Sequence, residues 1–359
     1  MTPQRLAYVL NIFPKLSETF IAGELAELRR RGVELRILSL LPPRDELQHA
    51  LVKRAGLDRL VCYEPEKFSA VVREFQPQLL HAHFAREATA EARRLAAIHR
   101  LPFTFTAHGY DIHRKPPEDF AARATAARAV VTVSEANAAY IAATFGVPRV
   151  LIHVVPCGVN TEQFQPGTPA ARALPPVILC VARHVAVKNL GQLLEACGRL
   201  RRCGMDFQCV MIGDGPLHEE LKTQRAALGL TNLVVMPGAA EQGEVVRWWQ
   251  RASVGVLTSQ NEGMPVSLME AAACGVPVVA PAVGGIPELV LDGETGLLAK
   301  PGDVESLLSA LERLLRDERL RKRMGEAARQ RAVEKFSVRH QVDQLFALWS
   351  GVLNGGVAR

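Results

Sequence analysis

The sequence predicts an α/β protein of two domains, each a parallel sheet covered by helices. Its 359 residues exceed the ~250–300 residues at which a single core usually stops growing. Short apolar or β-branched runs alternate with amphipathic helical patterns along the whole chain, which is typical of parallel sheets with helical crossovers. A proline-rich stretch without periodicity, residues 165–176, separates two such series and predicts the domain boundary.

The alternating segments fall into two series that fill the two halves of the chain. In the first, strands are predicted over residues 6–12, 35–40, 79–82, 103–107 and 130–133, with helices over 18–31 and 87–100. In the second, strands are predicted over 177–181, 207–212, 233–236, 254–257 and 276–280, followed by a helix over 304–315. An apolar-periodic segment after Phe336 comes too late to start a new unit. We therefore expect an N-terminal domain over 1–165, a C-terminal domain over 166–335, and a final helix over 336–359 that packs back on the N-terminal domain.

Composition excludes several classes of protein and partner. Lys and Arg outnumber Asp and Glu by 43 to 37, and only 6% of residues are aromatic, so no nucleic-acid partner is indicated. The seven cysteines form no Cys-x-x-Cys pair and do not bracket histidines at zinc spacing, so we expect reduced, mostly buried thiols. Neither a signal peptide nor a membrane-spanning run is recognisable, and the expected location is the cytoplasm.

The strongest local signal lies in residues 261–280, which directly follow the strand predicted over 254–257. Together they predict a strand, a loop, a helix, a helix cap and a second strand. Pro265 suits the first helical turn and Gly275 suits a left-handed C-cap, so a helix is predicted over 266–274. A helix start exposes backbone N–H groups, to which ligand oxygens bind readily. The candidate binding residues at this helix start are Gly263, Met264, Pro265 and Val266.

Two glutamates stand at the ends of an eight-residue interval in the same segment. Glu262 lies in the loop, where it can meet sugar hydroxyls. Glu270 lies about two turns along the helix, where it can meet a ribose. On spacing alone, two solvated surface carboxylates explain the pair as well.

Two basic residues, Arg183 and Lys188, follow the strand predicted over 177–181. Ligands of open α/β sheets collect at the carboxyl ends of the strands. A guanidinium and an ammonium there can clamp a diphosphate, although a plain surface loop is the alternative for these two residues taken alone.

Two further candidates lie at strand ends in the N-terminal half. His108 follows the strand over 103–107, where it can donate to substrate hydroxyls or carry a proton. A structural histidine bonded to nearby backbone is the alternative. Ser17 is predicted as the N-cap of the helix over 18–31, with a hydroxyl that can also meet an anion, and capping alone would explain it.

The remaining motifs are interpreted as structural, and no metal site is predicted. Residues 213–216 and 284–288 are Gly/Pro turns that open helices and lack the full dinucleotide pattern. His81 and His83 share one strand face, but no third ligand lies nearby at metal spacing. Because the chain contains no Asp-x-Asp sequence, Arg183 and Lys188 are expected to neutralise a diphosphate without a metal or other cofactor.

In their order and placement these segments resemble the retaining GT-B glycosyltransferases, a family that includes enzymes of bacterial polysaccharide assembly. In the C-terminal half the resemblance rests on Val181-Ala-Arg183-x4-Lys188, 212–216, Glu262-x7-Glu270, 275–279 and 284–290. In the N-terminal half, segments 13–21, 81–85 and 106–112 resemble the subgroup that builds colanic-acid-like and amylovoran-like exopolysaccharides. Two departures stand out: Ser17-Glu-Thr19 replaces the family's paired glycines, and Met264 stands where an aromatic residue is common.

The resemblance implies a GT-B fold, with two Rossmann-like domains facing each other across a cleft, and a hexosyltransferase-type enzyme. It implies that Arg183 and Lys188 hold the diphosphate of a nucleotide-sugar donor, UDP-linked. Glu270 would bind the ribose, Glu262 and the amides after it would bind the donor sugar, and His108 would lie on the acceptor side. Retention of configuration, and a saccharide or polyprenyl-diphosphate-linked acceptor in surface polysaccharide biosynthesis, are implied in the same way.

Other functions stay open at this point. A non-hydrolysing nucleotide-sugar epimerase uses the same architecture and would interconvert its donor without an acceptor. A non-catalytic subunit would bind a nucleotide sugar and activate a partner. A dehydrogenase would need a dinucleotide glycine signature, which follows neither first strand. Peripheral membrane contact is a separate expectation from the net charge of +6 and the basic runs 29–31 and 199–202, which solvated helix faces would also explain.

Overall fold

The computed structural model describes residues 3–44, 50–168 and 175–355, and the chain forms two compact units. One unit comprises Met1–Gly158 and Val338–Arg359, and the other comprises Val159–Ser337. The sequence-based boundary lay after residue 165, seven residues beyond this division. Part of the expected linker over 165–176 lies outside the described residues, because these omit 169–174.

The first unit is built on a seven-stranded parallel sheet. Its strands are β1 (Arg5–Ile12), β2 (Glu34–Leu41), β3 (Val61–Cys62), β4 (Leu79–His83), β5 (Phe103–Ala107), β6 (Ala129–Thr132) and β7 (Ile152–Val154), in the spatial order β3-β2-β1-β4-β5-β6-β7. Its first helices are α1 (Thr19–Arg30), α2 (Ala50–Arg54), α3 (Phe68–Phe75), α4 (Glu87–His99), α5 (Phe120–Ala126) and α6 (Glu135–Phe145). Every residue of β4 and β5 is buried, as expected for central strands covered on both faces.

The second unit is built on a six-stranded parallel sheet. Its strands are β8 (Val177–Val181), β9 (Gln208–Ile212), β10 (Val234–Gly238), β11 (Val254–Val256), β12 (Val278–Pro281) and β13 (Gly296–Ala299), in the spatial order β10-β9-β8-β11-β12-β13. Its helices are α7 (Leu190–Arg202), α8 (His218–Ala227), α9 (Gln242–Arg251), α10 (Val266–Ala273), α11 (Ile286–Leu289), α12 (Val304–Arg316) and α13 (Glu318–Lys335). No helix among the described residues is long and apolar enough to cross a bilayer.

The last helix, α14 (Val338–Leu353), is part of the first unit. Its residues Val342, Leu345 and Trp349 lie in one core cluster with the apolar residues of β1 and α1. Trp349 is fully buried, and its Nε1 donates to Thr104 Oγ1 at 3.2 Å. The apolar period of residues 338–349 therefore completes a core built mainly by the first 40 residues.

The strand order reverses once in each sheet, between β1 and β4 in the first and between β8 and β11 in the second. Loops that leave the carboxyl ends of two strands at such a switch point run to opposite faces and open a crevice, where ligands of α/β sheets bind. The loop after β8 carries Arg183 and Lys188, and the loop after β11 carries Glu262. The fold therefore positions these three residues at the carboxyl edge of the second sheet, beside its switch point.

Candidate functional site

An ion pair joins the two loops at the switch point of the second sheet. Lys188 Nζ contacts Glu262 Oε1, and the two side chains are only 16% and 11% exposed. The hydroxyl of Ser259 donates to the same carboxylate oxygen at 2.6 Å. The structure thus brings together a cation from one loop and a carboxylate from the next.

Backbone contacts hold the two loops in register behind this ion pair. The Thr258 hydroxyl donates to the carbonyl oxygens of Lys188 and Asn189 at 2.9 and 3.0 Å. The N–H of Gln260 donates to the carbonyl of Val187 at 2.8 Å. The loop after β11 therefore determines where Lys188 stands.

The turn over residues 284–288 supports Glu262 from behind. Gly284 has a φ of +51°, and a β-carbon there would lie 1.8 Å from the carbonyl oxygen of Glu262. That same oxygen accepts the N–H of Gly285 at 3.1 Å. Only glycine allows this approach, which explains the motif without assigning it a ligand.

The turn over residues 213–216 supports the Arg183 loop in the same way. A β-carbon at Gly213 would lie 1.9 Å from the carbonyl oxygen of Ala182. The N–H of His184 donates to the carbonyl of Asp214 at 2.8 Å. Arg183 itself is exposed, and its guanidinium forms no hydrogen bond or ion pair with the residues that the structure describes.

The start of α10 offers unused backbone donors beside Glu262. The helix begins at Val266 with Pro265 as its N-cap, one residue before the first turn where the sequence placed this proline. The N–H groups of Gly263, Met264 and Val266 donate to no acceptor in the described part of the chain. Helix N-termini with free N–H groups bind anions, and Gly275 has the predicted left-handed φ, +68°, at the other end.

Glu270 lies on α10 in a different environment from Glu262. It is 6% exposed, and its carboxylate accepts the indole N–H of Trp249 at 3.3 Å. Burial raises the pKa of Glu270 to about 7, although the Trp249 hydrogen bond acts in the opposite direction. No cation neutralises this carboxyl group within the described residues, and it is not in contact with Lys188.

The prediction that Ser17 caps the first helix is wrong. Helix α1 begins at Thr19, its N-cap is Glu18, and no side chain caps it. Ser17 lies in the preceding turn, which the Glu18 N–H closes by donating to the Lys15 carbonyl at 3.0 Å. The turn delays the helix, so the exposed Ser17 hydroxyl instead lies in the loop after β1, at the switch point of the first sheet.

His108 is neither a surface residue nor a histidine bonded to backbone through its ring. It is 7% exposed, and its Nε2 lies 3.1 Å from Nδ1 of His83. Its ring packs against Phe20 and Phe84, at centroid distances of 5.0 and 4.6 Å. Burial and the neighbouring His83 lower the pKa of His108 well below its usual value, so the ring is neutral near pH 7.

Asp111, which sequence reasoning did not select, fixes the loop that carries His108. Its two carboxylate oxygens accept the N–H groups of His108 at 2.8 Å and of Ala85 at 2.7 Å. Burial raises the pKa of Asp111 to about 6, against these hydrogen bonds. The aspartate in 106–112 thus ties the loops after β4 and β5 together.

Glu24 was also missed, and the expectation that no third ligand-type residue lies beside His81 and His83 is wrong. Side-chain ligand atoms of these three buried residues lie within 4.8 Å of one another. His81 bonds through Nδ1 to Thr104 at 2.8 Å and through Nε2 to Thr106 at 3.0 Å. Hydrogen bonds among protein side chains account for the cluster, and the only sequence signal was the position of Glu24 on the apolar face of α1.

Comparison with known proteins gives the family. Glycosyl transferases group 1 matches residues 163–331, and Glycosyltransferase Family 4 matches residues 17–163. The glycosyltransferase WcaL of Escherichia coli strain K12, named for colanic acid biosynthesis, is 31% identical over 304 residues, which cover 80% of this chain and 73% of WcaL. The chain belongs to the group 1 glycosyltransferases.

Other members of this group match over a smaller part of their length. The amylovoran biosynthesis glycosyltransferase AmsK of Erwinia amylovora is 38% identical over 179 residues, which cover 48% of this chain and 44% of AmsK. The chain spans less than two thirds of the length of several relatives that it matches.

The fold is that of solved glycosyltransferases. Anabaena HepE in complex with UDP-glucose superimposes with a TM-score of 0.82 at 19% identity, over 97% of this chain and 99% of HepE. A glycosyltransferase from Rickettsia africae gives a TM-score of 0.81 at 20% identity, over 97% and 98% of the two chains. The predicted GT-B fold with two Rossmann-like domains is confirmed.

The buried carboxyl group of Glu270 should make stability fall with pH. Its pKa rises from 4.5 to about 7 on folding, so between these values the folded state binds more protons than the unfolded state. The free energy of unfolding then decreases as pH rises. Glu270→Gln keeps the Trp249 hydrogen bond and removes the titration, so it should be the more stable protein at pH 8 by up to about 3 kcal/mol, with little difference at pH 4.5.

Denaturant titrations of both proteins across this pH range measure the effect. The exposed Glu294 provides the matched control, since Glu294→Gln should follow the parent curve. Parallel curves for the parent and Glu270→Gln would show that burial does not shift this carboxyl group.

Proposed function

We propose that this chain transfers a sugar from a nucleotide-sugar donor, UDP-linked, to a saccharide or polyprenyl-diphosphate-linked acceptor, with retention of configuration, in surface polysaccharide biosynthesis. The observation that carries the proposal is the joined pair of loops in the second unit. They present Lys188 and Glu262 in contact, next to the free N–H groups at the start of α10.

A diphosphate fits this arrangement by charge. Among the residues that the structure describes, Glu262 is the one ion-pair partner of Lys188, whereas a nucleoside diphosphate offers several negative oxygens and also accepts N–H groups. When Lys188 turns to the phosphate, the Glu262 carboxylate becomes available to sugar hydroxyls while it keeps the Ser259 hydrogen bond. One ion pair thus exchanges for two interactions with the donor.

The exposed Arg183 supplies a second cation to the same group. Its guanidinium has no described partner to give up, so binding a phosphate breaks no internal contact. Together the two cations and the helix start stabilise the charge that develops on the departing nucleoside diphosphate as the glycosidic bond breaks. Because these groups neutralise the diphosphate, we propose that transfer needs no metal.

The proposals for the donor and for the pathway are supported by similar proteins. HepE was crystallised with UDP-glucose, which supports a UDP-linked donor. WcaL and AmsK are named for colanic acid and amylovoran biosynthesis, which supports a growing polysaccharide as acceptor. On the protein side, His108 and Ser17 lie in loops at the carboxyl edge of the first sheet, where we propose that further substrate hydroxyls bind.

Replacing Lys188 with alanine should reduce donor affinity and transfer by about 10- to 100-fold, since a hydrogen bond to a charged group contributes roughly 1.5–3 kcal/mol. Lys188→Ala also leaves the Glu262 carboxylate without its cation. Lys188→Ala/Glu262→Gln removes that unpaired charge and should recover stability without recovering transfer. Lys222→Ala, on the surface of the same unit, is the matched control. Titration calorimetry with UDP-sugars and an acceptor assay with and without EDTA provide the measurements.

The assay separates this proposal from the two alternatives. Donor interconversion without acceptor would indicate an epimerase, and binding without any turnover would indicate a non-catalytic subunit. Equal affinity for UDP-sugars in Lys188→Ala and Lys222→Ala would contradict the diphosphate role of Lys188. Loss of transfer in EDTA would contradict metal independence.

We propose peripheral membrane contact from the net charge of +6. The two basic runs do not carry this proposal, because arginines of both runs form ion pairs within the protein. Arg31 pairs with Asp343 at 2.5 Å, and Arg199 pairs with Glu195 at 2.7 Å. We expect partition onto vesicles rich in anionic lipid at low salt and release at high salt, measured by sedimentation. Failure to bind these vesicles at low salt would contradict the proposed membrane contact.

A further inference from the structure

Two histidines join the loop that carries Arg183 to the next helix of the second unit but one turn. His184 directly follows Arg183 in the loop after β8, and His218 is the first residue of α8. Their rings are nearly parallel, at an angle of 10° with centroids 4.9 Å apart, and their Nδ1 atoms lie 2.9 Å apart. His184 is fully buried. Neither histidine is among the residues proposed to bind the donor.

The hydrogen bond between the two Nδ1 atoms does not depend on which ring donates. One Nδ1 must carry a hydrogen and the other a lone pair, a condition that two neutral rings meet and that one neutral ring facing an imidazolium also meets. Burial and the neighbouring His218 lower the pKa of His184 to about 4, although the Asp214 carboxylate acts in the opposite direction. Because His184 is therefore neutral near pH 7, the two rings are not both charged there. The contact is available in every charge state that the pair adopts at neutral pH.

Backbone hydrogen bonds hold His184 as well. Its N–H donates to the Asp214 carbonyl at 2.8 Å, and its carbonyl accepts the N–H of Leu217 at 3.1 Å. The same carbonyl is approached so closely by Gly215 that a β-carbon there would lie 2.5 Å from its oxygen. The turn over residues 213–216 and the start of α8 therefore fix the residue that directly follows Arg183.

Arg183 depends on this neighbour because its own side chain is not held. It is exposed, and its guanidinium makes no hydrogen bond or ion pair with any residue that the structure describes. The sheet holds the chain before it, since the Ala182 N–H donates to the Ile212 carbonyl at 3.0 Å, and His184 holds the chain after it. A long side chain loses rotamer freedom when it binds a ligand, and a fixed backbone limits that loss by restricting where the guanidinium can reach.

We propose that His218 is a positioning residue for Arg183: by holding His184, it fixes the backbone from which the Arg183 guanidinium reaches a diphosphate. The inference rests on the proposed function, in which Arg183 binds the donor diphosphate, and it adds a residue that acts through Arg183 rather than on the donor. When one residue acts through another, the effects of removing them are not additive in free energy. Removal of His218 should therefore weaken binding only while Arg183 is present.

A double-mutant cycle on the full-length protein tests this coupling. Titration calorimetry at neutral pH measures the affinity for UDP and for inorganic pyrophosphate, which carries the diphosphate without base or ribose. Arg183→Ala should weaken binding by about tenfold or more, since it removes a charged hydrogen-bond donor. His218→Ala should weaken binding about three- to tenfold in the parent protein and should cause no further loss in Arg183→Ala.

A conservative variant and a control distinguish the contact from general damage to the helix. His218→Asn carries no charge, and its amide can donate to or accept from His184 Nδ1, so it should recover part of the affinity that His218→Ala loses. The matched control is Thr223→Ala, at an exposed position of α8 where the hydroxyl bonds to the Glu219 carbonyl of the same helix. It should keep the affinity of the parent. Thermal unfolding without ligand checks that each variant is folded.

The outcomes separate this inference from the proposed function. Parent affinity in Arg183→Ala, or no binding of either probe to the parent, would contradict the proposed diphosphate site and the inference with it. A loss in Arg183→Ala but parent affinity in a folded His218→Ala would overturn the inference alone. Losses that multiply in the double variant would do the same, because His218 would then act independently of Arg183. If His218→Ala does not fold, His218→Phe takes its place in the cycle, since it keeps a ring against His184 without a nitrogen.

Discussion

The contact between Lys188 and Glu262 is the interaction on which the functional account depends. The two residues come from loops that leave β8 and β11, neighbouring strands at the point where the strand order reverses. In a parallel sheet such loops lead away from each other, so a crevice opens between them. The ion pair, the Thr258 hydrogen bonds and Gln260 hold the crevice edges at a fixed separation. A ligand that replaces the ion pair must match both its charges.

The first unit buries many polar side chains in its core. Tyr8, Glu24, His81, His83 and Gln341 all lie in the core with 5% exposure or less. Each has a hydrogen-bond partner in the protein, as buried polar groups require. The return of α14 is part of this arrangement, because it delivers Gln341 to Glu24 and Trp349 to Thr104. The network ends at His108, the one member near the surface.

The sequence predicted the architecture well where the signal was local. All ten predicted strands are present, because runs of apolar residues between polar turns identify buried parallel strands. Within the described ranges three strands were missed, β3, β7 and β13, which have two to four residues and too little pattern to detect. Ser17 does not cap α1, because a turn from Lys15 to Glu18 precedes the helix, which begins at Thr19. Residue type alone does not reveal such a turn.

The sequence identified residues of the candidate site but not the contacts between them. Spacing selected Lys188 and Glu262, yet only the fold shows that they pair, since 74 residues separate them. Glu24 and Gln341 are 317 residues apart and meet only because the last helix returns to the first unit. Likewise, the glycines at 213 and 284 were recognisable as turn residues, whereas the carbonyl groups that they approach were not. Short segments of sequence therefore indicate the residue types of a site, whereas the topology of the fold determines which distant residues pair.

A crystal structure with a bound nucleoside diphosphate tests the central claim most directly. We expect phosphate oxygens within hydrogen-bond distance of Lys188 Nζ and of the N–H groups at the start of α10, with the Lys188 to Glu262 contact opened. A diphosphate bound elsewhere on the chain, with that contact intact, would contradict it.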